Sequence, residues 1–282
     1  MYRKQQIRNW LILGLIGICL NANAKTDNGI SGEKNFPLLL TQQTDAPQLK
    51  HLADSIFDVI GLENYGLGRD AFFSACKGYQ YLLYKGALRK KHLLTICDYS
   101  QSANNKRLYV IDLSANVVVF NTYVSHGRNS GSEFATSFSN VENSNKSSLG
   151  FMVTDEPYYG VAGYSMRFNG METGINDHVK NRYIVFHGSK FVNENVMRER
   201  GTIGRSLGCP AVPYGEQKQI IEMIKGGSCF YIYNPAPWYT HTSRILNANF
   251  NYESFMASGS KQNESLAGNS TDAVSAPDTD FK

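Results

Sequence analysis

The chain lacks most of what the commoner function classes require. It carries no excess of one charge: of 28 Lys and Arg, Arg3, Lys4 and Arg8 fall in the first 24 residues, which hold no acidic side chain, leaving 25 against 24 Asp and Glu. That balance removes the electrostatic motive for binding nucleic acid or a polybasic docking on membranes. No HExxH or H-x-H pair occurs, so no metal site is read, and no glycine-rich nucleotide loop is visible. No cofactor is called for. No internal repeat of the kind that builds wall-binding modules is present. The one long apolar run, Leu11 to Leu20, falls short of the ~20 residues that span a bilayer.

What is there begins with that run. Arg3, Lys4 and Arg8 precede it and Ala22-Asn23-Ala24 follows, the three parts of a signal peptide over 1–24. The expectation is an exported protein of the periplasm or cell envelope, with no stable membrane anchor after cleavage. Residues 25–50 mix Gly, Asn, Thr, Gln and Pro and read as a linker. Over 51–92 the spacing predicts helices, with Leu52, Ile56, Val59 and Ile60 on one face and Phe72, Cys76, Tyr79 and Leu83 on another. Apolar runs at 93–97, 107–113, 117–124 and 229–233 read as strands. The expected main domain, 93–240, thus looks mainly β, and an amphipathic helix is predicted near 216–225. A C-terminal extension covers 241–282, with so little to bury from about 257 that it reads as disordered.

Four cysteines remain after the leader, Cys76, Cys97, Cys209 and Cys229, and allow three full pairings. Cys76 and Cys229 read as buried thiols; a Cys76–Cys97 bridge is the alternative. Cys209 is different. It sits in Gly204-Arg205-Ser206-Leu207-Gly208-Cys209-Pro210, small residues that keep bulk away from a thiol, and Tyr183 to Gly188 is an apolar run ending in His187. A thiol needs a base to become a thiolate, and a His at the end of a buried strand is a fixed base. The amides of Gly208 and Cys209 are candidates for an oxyanion hole. Ser206 is a candidate site-organising hydroxyl, and Arg205 a candidate partner for a substrate carboxylate. His126-Gly127 ends a second apolar run, so His126 is either a cleft residue that binds substrate or a structural hydrogen-bonding His. Tyr159, in a Tyr-Gly turn, offers a ring for sugars or peptide stems. The Asn-, Ser- and Gly-rich stretch from Arg128 to Ser148 is long enough to form a wall or a lid.

His187-Gly188 followed by Ser206-Leu207-Gly208-Cys209 resembles the His-Gly…Ser-x-Gly-Cys signature of the murein L,D-transpeptidase catalytic domain family (YkuD-like cysteine transpeptidases). The resemblance runs from about Leu93 to Tyr233. Leu207 stands where many members have a second His, and Pro210-Ala211 where a hydrophobic residue and Asn or Arg are usual. It implies an α+β, mainly β fold: a β-sandwich of mixed sheets with a packed helix, preceded by a small helical segment. It implies transfer of a peptidoglycan tetrapeptide stem, with release of D-Ala, from Cys209 to an acceptor amine, and the carbonyl of Gly188 as third member of the relay. Partners would be peptidoglycan peptide stems and carbapenem β-lactams. Water in place of the amine would make a carboxypeptidase or endopeptidase, and a non-catalytic wall-binding domain would keep only the fold.

Overall fold

The computed structural model describes residues 46–248. The expected signal peptide, most of the linker and the tail beyond 248 lie outside them. The linker expectation ends early, because the first helix, α1 (Ala46–Ile60), begins inside it. Its buried face carries Leu49, Ala53, Ile56 and Phe57, while Val59 is 68% exposed. The apolar stripe is thus rotated from the expected one, since Leu49 and Phe57 extend a 49-53-56-57 pattern that leaves Val59 outside. A 3₁₀ turn (Leu62–Tyr65) leads to α2 (Arg69–Tyr84), which buries Phe72, Ala75, Cys76, Tyr79 and Leu82.

Eight strands follow, interrupted by short helices: β1 (Leu93–Asp98), β2 (Leu108–Asp112), β3 (Val117–Thr122), β4 (Gly150–Gly160), β5 (Gly163–Gly170), β6 (Val185–Ser189), α3 (Glu194–Arg200), β7 (Ala211–Pro213), α4 (Gln217–Ile224), β8 (Cys229–Tyr233) and α5 (Pro237–Thr242). The mainly β expectation holds. Instead of two sheets, the strands make one mixed sheet in the order β3-β2-β1-β8-β4-β5-β6-β7. Isolated bridges Ser125–Ala211 and Gly127–Ser206 bring the chain beyond β3 against β7 and the turn before it. The two edges of the sheet therefore meet, which is how a single sheet avoids open edges.

The helices pack where the sheet is most apolar. Phe151 of β4 stacks on Tyr231 of β8 with centroids 3.9 Å apart, and α2 presents Gly78 to the Phe151 ring. A Cβ at residue 78 would lie 2.0 Å from that ring, so only glycine lets the helix come this close. Cys76, Cys97 and Cys229 are buried and free, so the Cys76–Cys97 bridge is absent. Pro237 opens α5 at a first-turn position, where a missing N–H costs nothing. Beyond it Ser243 donates to the buried carboxylate of Glu172, which also accepts from Phe151 N at 2.7 Å and Tyr239 Oη at 3.1 Å.

The turn that matters most lies between β6 and β7. These strands are parallel, so the chain must cross over between them, and α3 lies in the crossover. Asn193 caps α3 by accepting from Val196 N at 3.0 Å. The return leg delivers Ser206 to Cys209 beside β6.

Candidate active site

β6 places His187. Its N–H donates to Pro210 O at 3.4 Å, and His187 pairs with Ala211 on β7. The imidazole Nδ1 lies 3.0 Å from Gly188 O. A carbonyl can only accept, so Nδ1 carries the proton and Nε2 keeps its lone pair. The ring is half-buried, and burial pulls its pKa below the ordinary value, with the Gly188 carbonyl acting the other way. His187 is thus a neutral imidazole with one free basic nitrogen.

Cys209 enters the same place from the crossover. Its Sγ accepts from Val185 N–H at 3.4 Å and donates to Tyr183 O at 3.6 Å. Tyr183 takes φ +53, a conformation rare for an aromatic residue, which turns its carbonyl to the sulfur. Among the described residues no hydrogen bond joins Sγ to His187. Burial pushes the thiol pKa up, while the Val185 N–H and the nearby Arg182 guanidinium pull it down. Burial thus acts on both groups in the direction of their neutral forms, raising Cys209 and lowering His187.

Ser206 holds the turn together from inside. Its Oγ donates to Cys209 O at 2.6 Å and accepts from Gly208 N at 3.1 Å. Both contacts are internal, so Ser206 organises the turn and does not face a ligand. The same contact corrects the oxyanion expectation for Gly208, because its N–H is already taken, and Cys209 N–H is the remaining donor of the expected pair. Gly208 is required for another reason. It sits at φ +127, and a Cβ there would fall 2.8 Å from Lys146 O.

The other predicted site residues fall elsewhere. His126 is fully buried, so the substrate-binding expectation is overturned. Its Nδ1 lies 2.8 Å from Arg107 Nη2, a donor only, and so accepts; Nε2–H then points to Gly131 O at 3.4 Å. Burial, with Arg107 next in weight, lowers its pKa to about 4. Arg205 is exposed and donates through Nη1 to Gly131 O at 2.9 Å and Arg128 O at 3.3 Å, bracing a turn. Tyr159 stands at the β4–β5 hairpin tip, tilted on Tyr164 at 5.1 Å; its neighbour Tyr158 lines the cavity beside the site.

Arg182 belongs to no motif in the sequence and is a site residue that only the structure brings out. Its guanidinium donates to Ser139 O, to Ser148 Oγ at 2.7 Å, to Ser144 Oγ at 3.2 Å and to Lys146 O at 2.6 Å. It thus pins the 139–148 stretch against the site, and Lys146 O in turn lies against Gly208. Ser147 adds to the clamp by donating through Oγ to Gly208 O at 3.0 Å. Arg182 Nε is buried without a hydrogen-bond partner, and all four acceptors are neutral. Burial lowers its pKa and Cys209 raises it. No spacing in the sequence links residue 182 to acceptors more than thirty positions away. Among the described residues no cluster of three or more His, Cys, Asp or Glu could hold a metal ion.

Comparison with known proteins places the chain in a family. Solved structures similar to the chain include an LD transpeptidase in complex with imipenem, at 11% identity over 50% of this chain and 59% of that one, TM-score 0.31. Another is the L,D-transpeptidase from Mycobacterium smegmatis, at 10% identity over 51% and 59%, TM-score 0.32. A third is the L,D-transpeptidase from Xylanimonas cellulosilytica, at 13% identity over 68% and 96%, TM-score 0.31. The chain spans 59% of the length of the first two. A search of curated proteins finds no match. The family model described as L,D-transpeptidase catalytic domain matches residues 63–233, from the 3₁₀ turn to the end of β8. The chain belongs to the L,D-transpeptidase catalytic domain family.

Proposed function

We propose that the protein is an exported peptidoglycan L,D-transpeptidase working through Cys209. The observation that carries this is the setting of the sulfur: Sγ lies between Val185 N–H and Tyr183 O, and the strand that follows Cys209 pairs with His187, whose Nδ1 is committed to Gly188 O. Nε2 of His187 is then the base. It takes the thiol proton as Sγ attacks the carbonyl of the amide between meso-diaminopimelate and D-Ala. The S–C bond forms, the C–N bond breaks, and the proton passes from Nε2 to the leaving D-Ala amine. An acceptor amine attacks the thioester next, giving up its proton through His187 to the departing sulfur. The Cys209 N–H supports the oxyanion, a kind of donor whose loss costs about 10²–10³ in rate.

Proton transfer accompanies attack, and Arg182 and the Val185 N–H stabilise the negative charge that grows on sulfur. A carbapenem, whose strained carbonyl presents the same electrophile, would acylate the same sulfur.

The test is to incubate the protein, and a Cys209→Ala variant, with disaccharide-tetrapeptide and read protein mass and soluble products. The expected result is an acyl adduct on wild type only, with free D-Ala and cross-linked dimer. An adduct that yields tripeptide alone makes the enzyme a carboxypeptidase; no adduct, with cross-linked muropeptide left intact, sinks the enzymatic reading.

A further inference from the structure

A cavity of about 270 Å³ has walls that include Tyr158, Arg167, Lys180, Tyr183, Ile184 and Val185. Tyr183 and Val185 are also the residues whose backbone groups hold Cys209 Sγ. One short segment therefore serves both the sulfur, through its backbone, and the cavity, as part of its wall. Strand pairing fixes the orientation further. Arg167 lies opposite Val185 and Ser165 opposite His187. Paired residues, and residues two apart, share a face, so Arg167 and Val185 project to the same side as His187.

The two cations of the cavity are not equivalent. Lys180 is 3.1 Å from Asp155, and its charge is answered. Arg167 is exposed and takes part in none of the ion pairs among the described residues. Its guanidinium lies 4.0 Å over the Tyr158 ring. A guanidinium held over an aromatic face by cation–π attraction keeps N–H donors for a carboxylate, since the ring accepts none of them as an oxygen would. The volume is just below the ~300–1,000 Å³ of sites that enclose whole small ligands, so it suits one side chain of a longer ligand.

We propose that this cavity receives the side chain of the residue whose acyl group is transferred, and that Arg167 grips the free carboxylate that side chain bears. The inference rests on the acyl-transfer reading for the identity of the ligand: diaminopimelate is the stem residue at the scissile bond, and its second amino-acid centre ends in a carboxylate. Tyr158 and Val185 pack against the methylene chain. Arg167 is thereby a specificity-determining residue, selecting stems with the free acid over the carboxamide.

Binding to the Cys209→Ala protein by calorimetry tests this without turnover, using three tetrapeptide stems: free acid, amidated at diaminopimelate, and amidated at isoglutamate as control. Amidation at diaminopimelate is expected to weaken binding about 10- to 100-fold, the range of a charge-assisted bidentate contact. The control binds as the acid does. Adding R167Q should erase the difference, and R167K should keep only part of it because the fork is lost. In the intact enzyme R167Q raises KM by the same factor, leaves kcat within about twofold, and leaves Cys209 alkylation by iodoacetamide unchanged. Equal binding of acid and diaminopimelate amide overturns the proposal, as does a preference that follows isoglutamate or survives R167Q. If the preference appears but wild type forms no acyl adduct, the carboxylate site stands and the transferase reading falls.

Discussion

His126-Gly127 and His187-Gly188 both follow an apolar run of the same sheet, and each imidazole has its Nδ1 committed to a fixed partner. The partners differ in kind. Arg107 can only donate, so His126 accepts at Nδ1 and keeps its proton on Nε2. Gly188 O can only accept, so His187 keeps its proton on Nδ1 and exposes a basic Nε2. One His is a fully buried post between a cation and a loop carbonyl; the other is half-buried beside a sulfur. Identical dipeptides in similar local sequence thus acquire opposite tautomers, His126 from an arginine distant in the chain and His187 from the carbonyl of the next residue, and only one tautomer suits a general base.

Breaking each His separates the two roles most widely. His187→Ala should slow acyl-adduct formation by about 10²–10⁴, the usual worth of a positioned base, with little change in the urea midpoint. His126→Ala should do the reverse. It leaves Arg107 buried with one acceptor fewer, and Arg107 has no carboxylate partner within hydrogen-bonding reach, only Val124 O, Gln101 O and the His126 ring. A loss of about 3 kcal/mol is expected in urea unfolding, with adduct formation retained by the folded fraction. Equal loss of activity in the two variants at full stability would end the distinction.

Acid sharpens the same contrast. His126 titrates at about 4 in the folded protein, against an ordinary value of ~6.5 in the unfolded chain. The unfolded state therefore binds the extra proton first. Stability from this group is complete above about 6.5 and falls as pH drops toward 4, with a slope approaching ~1.4 kcal/mol per pH unit from one proton. His187, also held below its ordinary value by burial, adds to the slope with the same sign. Urea midpoints measured from pH 7 to pH 4.5 should drop in wild type and drop less in His126→Gln. An unchanged slope in that variant would place the acid sensitivity elsewhere.

The sequence made the Cys209 turn and the His187 strand legible because both chemistry and periodicity are local there, and β8 appears at the expected residues, Cys229–Tyr233. β5 was equally legible and was passed over: Tyr164, Met166 and Phe168 alternate with Ser165, Arg167 and Asn169 between two glycines, a period of two. β7, three residues ending in Pro213, carries too little pattern to be seen. The engagements of Gly208 N–H by Ser206 Oγ and of the His126 ring by Arg107 depend on where side chains sit after folding. Residue type and spacing do not encode them directly, which is why His126 reads as a second cleft histidine until Arg107 is placed against it.

Arg182 gives the smallest expected effect and the finest test. Its four acceptors are neutral, its Nε is buried without a partner, and no carboxylate pairs with it among the described ion pairs. A half-buried cation so placed favours the anion that forms next to it, here the Cys209 thiolate, although burial still keeps the resting thiol above its ordinary pKa. Arg182→Gln keeps an amide donor for the loop and removes the charge. The pH profile of Cys209 alkylation by iodoacetamide should then move to higher pH, while Arg182→Lys, which restores charge without the fork, moves it back. A role confined to bracing the 139–148 stretch predicts another pattern: both variants lose stability alike, and the alkylation profile stays where wild type has it. The two histidines differ by which nitrogen is free; the two Arg182 variants test whether a cation near Cys209 makes its sulfur yield the proton more readily.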